Sequence, residues 1–251
     1  MTKVDLNADM GESYGRWTLG DDAALLGIVT SANIACGFHA GDPDVMAATM
    51  RMAVGKNVGI GAHPGFPDLQ GFGRRPMVLP ADSLQNAIRY QLGAAQAMAA
   101  AAGGELRHVK LHGALSNMAS RDAGLARICY EAVRDFDPNL VIMVLAATAM
   151  QDVVKDMGCD YAAEIFADRA YEDDATLVDR SQKGAVIHDA KVAAERMVRM
   201  VKEGAIIAES GKKIPTRIDT ICLHGDTPEA VGIGQAVRKA LADAGVTVQK
   251  L

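Results

Sequence analysis

Short apolar runs alternate with longer stretches whose apolar residues return every three or four positions. Residues 4–8, 32–36, 58–62, 109–111, 140–146, 161–166 and 218–223 read as strands, and 246–249 as a last short one. Residues 44–55, 82–102, 122–135, 148–157, 189–203 and 228–244 carry helical spacing. In 82–102, Leu84, Ile88, Leu92 and Ala95 form the stripe, Asp82 or Ser83 is placed to cap, and Gly103-Gly104 ends the helix. The run at 140–146 is apolar on both faces, as in a buried parallel strand. Strand–helix alternation predicts a parallel sheet covered by helices. About seven or eight such units favour an α/β fold closed into a (β/α) barrel, with an open doubly wound sheet as the alternative. No linker divides the chain, so residues 1–251 are expected to form one barrel domain. The longest irregular stretches, 65–80 and 170–188, are candidate functional loops.

The polar residues cluster where the strands end. The first strand runs into Asp5, Asn7, Asp9 and Glu12, and the second carries Asn33 and leads through Cys36-Gly37 to His39 and Asp42. The third leads to His63 and Asp68, and the fourth carries Lys110 and His112. The strand at 161 leads to Asp168-Arg169, and the one at 218 to His224-Gly225-Asp226. In a parallel barrel all these ends open on one face, where active sites are built. Asp5, Asn7 and Asp9 alternate and so share one side of their strand. Inward carboxylates are costly unless paired or functional. A lone histidine after a strand is more often structural, but four in equivalent places favour chemistry. Asp9, His39, His63, Lys110 and His112 are therefore the candidate catalytic residues. Asp5, Asn7, Glu12, Asn33, Asp42, Asp168, Arg169, His224 and Asp226 are the candidate substrate-binding set. His108 and His188 lack this context and are expected in loops or at the surface.

Composition narrows the picture. The chain is 49% hydrophobic and 23% charged over 251 residues, an ordinary globular balance. Its net charge of −5 argues against a nucleic-acid partner or an anionic membrane surface. No signal pattern opens the chain, and no apolar stretch approaches the ~20 residues that span a bilayer. Cys36, Cys129, Cys159 and Cys222 form no CxxC pair and are expected to be reduced and buried, in a cytoplasmic protein. There is no phosphate-binding glycine loop, no nucleophile elbow and no HExxH helix; the run at 210–213 is too partial to count.

Six segments together carry a resemblance: DLNADMGE at 5–12, SANIACGFHAGD at 31–42, IGAHPGFPD at 60–68, VKLHGAL at 109–115, EIFADRAY at 164–171 and ICLHGD at 221–226. In this order they resemble the LamB/YcsF family of 5-oxoprolinase A subunits, over nearly the whole chain. Leu111 and Ser116 stand where that family's VKPHGALYN motif has Pro and Tyr, and Leu177-Val-Asp-Arg180 varies a commoner form. Lys110, His112, Gly113 and Asn117 are retained.

The resemblance implies a seven-stranded barrel of the glycoside hydrolase/deacetylase type. It implies ATP-dependent cleavage of 5-oxo-L-proline to L-glutamate with partner subunits B and C, which would supply the ATP step. Asp9, His39 or His63 would then be the base, and Lys110, Arg169 or a histidine would meet the oxyanion. Two other readings stay open. One is a metal-dependent amidase or deacetylase holding a divalent ion on Asp9, His39 and His63; the other is a non-catalytic subunit that captures a small acid. A homo-oligomer is compatible with either.

Overall fold

A computed structural model describes residues 2–225 and 229–251. Seven parallel strands close into a barrel: β1 (Lys3–Met10), β2 (Ser31–Ala35), β3 (Gly59–His63), β4 (Leu106–Lys110), β5 (Val141–Leu145), β6 (Tyr161–Phe166) and β9 (Thr220–Leu223). Each pairs with the next, and β9 pairs with β1 to complete the ring. The expected barrel is therefore the one observed, with seven strands.

The helices follow their strands: α1 (Asp22–Leu25), α2 (Pro43–Gly55), α3 (Ala81–Ala101), α4 (Gly113–Ala119), α5 (Ala123–Phe136), α6 (Ala149–Asp156), α7 (Ala190–Glu203) and α8 (Ala230–Asp243). Asp42, Asp122 and Asp189 cap α2, α5 and α7, each accepting two backbone N–H bonds. Gly204 ends α7 in the left-handed conformation, at φ 60°. Helix α3 begins at Pro80 without a side-chain cap, so neither Asp82 nor Ser83 plays that part.

Three features were not predicted. Helix α4 starts directly after His112, and α1 is a single turn; both are too short to show a period. Between α7 and β9 the chain forms an antiparallel hairpin, β7 (Ala205–Ile207) and β8 (Lys213–Pro215). The last strand, β10 (Thr247–Val248), lies within the expected 246–249 and pairs with the start of β1. All four cysteines are free, as expected, but Cys159 is half-exposed while the other three are buried. Among the described residues no helix is long and apolar enough to cross a membrane.

Two faces of each strand divide the interior. Leu6, Ala8 and Met10 of β1 join the apolar core together with Ile34, Ile60, Val109, Ile165 and Ile221. The alternate residues, Asp5, Asn7 and Asp9, are buried too and make polar contacts across the barrel. The barrel lumen is therefore polar, and its contents determine what the mouth can do.

Candidate functional site

The lumen is built in tiers. At the N-terminal end Asp5 accepts hydrogen bonds from Thr30 (2.7 Å), Ser31 (2.7 Å) and Thr220 (2.5 Å). These hydroxyls tie β1 to the starts of β2 and β9. Burial pushes the Asp5 carboxyl up despite them. Asp5 thus lies at the closed end of the barrel, two tiers below Asp9.

In the middle tier Asn33 donates to Asn7 Oδ1 (2.7 Å) and to Asp9 Oδ1 (2.9 Å), and Asn7 donates to Glu164 (3.0 Å) and Thr220 (2.7 Å). His108 belongs here. It is 1% exposed, and its Nε2 lies 2.9 Å from Asn33 Oδ1, so the expectation of a surface residue is overturned. Burial, then the Lys110 charge, pushes its pKa down to about 3, so the ring is neutral. Its imidazole lies across Gly61, where an added Cβ would sit 2.0 Å from Nε2. Gly61 carries the signal for this contact: a strand glycine marks a close approach from another group.

Above this tier Lys110 is enclosed. Its ammonium sits 2.9 Å from Asp9 Oδ1, 2.9 Å from Glu164 Oε1, 2.9 Å from Cys222 Sγ and 3.3 Å from Asn7 Oδ1. The Phe166 ring lies 5.0 Å away. Burial alone would lower the Lys110 pKa, but Asp9, Cys222 and Glu164 hold it well above its ordinary value. Burial alone would raise the Asp9 carboxyl, but His63 and Lys110 hold it well below. Lys110 and Asp9 are thus an ionised pair at neutral pH. Glu164 and Cys222, which sequence reading left out of the site, complete the cage.

The histidines gather on the other side of Asp9. His63 Nε2 is 3.3 Å from Asp9 Oδ2 and 3.0 Å from His112 Nδ1. His39 stacks on His112 with ring centroids 3.6 Å apart. Glu12 Oε1 lies 3.6 Å from His39 Nε2 and 3.8 Å from His112 Nδ1. Burial first, and neighbouring imidazoles second, push His39 and His112 well below the usual histidine range. The loop at 64–80 presses on this group with its backbone. A Cβ on Gly73 would lie 2.7 Å from atoms of both His39 and His112, and Gly73 itself has φ 63°. Glu12, His39, His63 and His112 form a buried cluster that could hold a metal ion. Asp9 stands at its edge and completes the cage of Lys110.

The cavity at the mouth has a volume of ≈330 Å³ and reaches Asp9, Glu12, His63, Lys110, His112 and His224. His224 is fixed by Asp168, whose oxygens lie 2.8 and 2.9 Å from Nδ1, and it stacks on Phe166 at 5.2 Å. Burial would raise the Asp168 carboxyl, but His224 beside it brings it below its ordinary value. Arg169 reaches the cavity wall and donates to backbone, from Nη2 to Val178 O (2.5 Å) and from Nε to Ala185 O (3.3 Å). It pins the long loop after β6. Asp42 is engaged as the cap of α2 and accepts from Gly15 N at 2.7 Å. His188 is exposed, as expected. Asp226 lies outside the described residues.

Comparison with known proteins agrees with this fold. The LamB/YcsF family model matches residues 4–251. A relative from Ruegeria pomeroyi, named as the A subunit of 5-oxoprolinase, is 63% identical over 248 residues, 99% of this chain and 98% of that one. The solved lactam utilization protein from Thermus thermophilus superposes with a TM-score of 0.93 at 44% identity, covering 100% of both chains. A polysaccharide deacetylase from Bacillus cereus shares the fold at 12% identity, with a TM-score of 0.51 and 100% and 92% of the two chains covered. The chain belongs to the LamB/YcsF family.

Proposed function

We propose that this chain is the A subunit of a cytoplasmic, ATP-dependent 5-oxoprolinase that opens 5-oxo-L-proline to L-glutamate with two partner subunits, B and C. The observation that carries this reading is the 63% identity, over 99% of the chain, to a protein named as the A subunit of 5-oxoprolinase. The mouth supports it: a small polar cavity with a buried cation, an ionised carboxylate and an imidazole oriented by a carboxylate suits a small polar amide.

A five-membered lactam is a poor electrophile, so ATP would be used by the partners to phosphorylate its carbonyl oxygen. Water then adds to that carbon and gives up a proton to Asp9. Expelling phosphate from this adduct would only re-form the lactam. The ring nitrogen must leave first, and it leaves as an amine only if it takes a proton. His224, held by Asp168, would give it as the imidazolium. Breaking the C–N bond leaves an acyl phosphate, which a second water converts to the carboxylate and inorganic phosphate. The Lys110 ammonium meets the negative charge that develops on oxygen.

The test is glutamate formation from 5-oxoproline and ATP by the reconstituted assembly. Asp9→Asn, Lys110→Gln and His224→Asn, each shown to be folded by circular dichroism, are expected to lower it by roughly 10²–10⁴-fold. Full turnover in all three would overturn the assignment of chemistry to this mouth. Full turnover without this chain would make it a capture subunit only.

A further inference from the structure

The histidine cluster poses a problem of protons. His63 Nδ1 lies 2.7 Å from the Lys110 carbonyl, and His112 Nε2 lies 2.8 Å from the Phe72 carbonyl. A carbonyl oxygen only accepts, so each of these nitrogens carries the proton and donates. In the neutral rings the remaining nitrogens, His63 Nε2 and His112 Nδ1, then carry lone pairs. Those two atoms face each other at 3.0 Å. Glu12 Oε1 adds a third lone pair 3.8 Å from His112 Nδ1. His39, whose side chain is 0% exposed, has no hydrogen-bond partner among the described residues for either ring nitrogen, and its Nε2 sits 3.6 Å from the same Glu12 oxygen. Three lone pairs thus converge beside a buried imidazole whose N–H no neighbour among the described residues fixes to either nitrogen.

Such an arrangement is repulsive unless something positive sits at its centre. We infer that Glu12, His39, His63 and His112 form a binding site for one divalent transition-metal ion. Three imidazole nitrogens and one carboxylate oxygen suit Zn²⁺, Fe²⁺, Co²⁺ or Ni²⁺ rather than Mg²⁺ or Ca²⁺, which prefer all-oxygen sites. Bonds of about 2.0–2.1 Å in a tetrahedral site put neighbouring ligand atoms roughly 3.3–3.4 Å apart. The separations of 3.0, 3.6 and 3.8 Å bracket that value. Metal-binding histidines usually donate their second ring N–H to a carbonyl or carboxylate, which fixes the tautomer. His63 and His112 already do so. A shared proton would relieve only the His63–His112 pair and would leave His39 without a partner. The other group of convergent ligand types, Asp9, Cys222 and His224, is a poorer host: Lys110 already places a positive charge 2.9 Å from both Asp9 and Cys222.

This inference stands apart from the lactam reading, because metal retention can be measured whether or not the chain opens a ring. The full chain, purified without chelator, is expected to hold one equivalent of metal by elemental analysis. After stripping it should take up one Co²⁺ with the visible absorption of a tetrahedral N/O site. Mg²⁺ should not compete. Glu12→Gln and His39→Asn should weaken Co²⁺ binding at least as much as the roughly 100-fold lost when a ligand's own hydrogen-bond partner is removed. Cys222→Ser, in the other group, should leave it unchanged. A folded wild-type chain with substoichiometric metal and no Co²⁺ spectrum would overturn the site in favour of a shared proton. Unaltered Co²⁺ binding in both ligand variants would overturn the assignment of ligands.

Discussion

Two polar regions lie side by side in the lumen, divided by Asp9, and they are completed in opposite ways. Around Lys110 every lone pair meets a cation or a donor: Asp9, Glu164, Asn7 and Cys222 share one ammonium. Around His63 and His112 the donors point outward to carbonyls and the acceptors point inward to each other. The first region carries its counter-charge at its centre, and the second gathers lone pairs where the metal ion proposed above would sit. Burial of polar groups is common to both, so burial alone does not identify chemistry. The direction of the protons separates a finished network from one that awaits a ligand.

The largest expected effect comes from emptying the finished region. Lys110→Met removes the ammonium and leaves Asp9 and Glu164 buried without it. Stability should fall by roughly 3–5 kcal/mol, read as a shift in the urea midpoint. A loss below about 1 kcal/mol, the range of an exposed ion pair, would mean that the cage is open to water and the contrast between the two regions is false.

A pH effect should come next, from the tier beneath. His108 has its pKa pushed down from 6.5 to about 3, so between those values the unfolded chain takes up a proton that the folded chain refuses. Its contribution is fully favourable above pH 6.5 and is lost as pH falls toward 3, by about 1.4 kcal/mol per pH unit. His108→Gln should flatten the wild-type decline between pH 6.5 and 4.5 by that slope. Equal slopes in the two proteins would show that the ring is protonated in the folded barrel.

The smallest effect tests a residue that the sequence pattern grouped with the site. Asp42→Ala removes the cap of α2 and should cost about 1 kcal/mol while leaving turnover unchanged. A large loss of turnover without loss of stability would move Asp42 from the helix end into the chemistry.

The barrel was legible because a parallel strand, buried on both faces, writes itself as an apolar run, and β5 and β6 fell within a residue of their expected ends. The alternation of Asp5, Asn7 and Asp9 also predicted that all three share the lumen. It did not predict depth. One strand crosses the whole barrel, so residues of the same face serve a hydroxyl clasp at Asp5 and an ion pair at Asp9. Glu164 and His108 were passed over because each stands inside a strand rather than after it, where no turn or glycine of its own draws notice. The meaning of His108 is carried by Gly61, 47 positions earlier by their numbers, and such a pairing is visible only once the strands are laid side by side. The hairpin β7–β8 has only three residues per strand, too few for a period of two to stand out.

The carbonyl of Phe72 has a consequence for inheritance. It sets which nitrogen of His112 keeps its hydrogen, and it does so with an atom that every residue type possesses. Substitution at position 72 alters the ring that packs on His39 and His112 but keeps that oxygen. A deletion or insertion in residues 64–80 would redirect the oxygen and reverse the ring's acid–base sense without altering a single histidine. Insertions and deletions in this loop should therefore be as poorly tolerated as a side chain at Gly73.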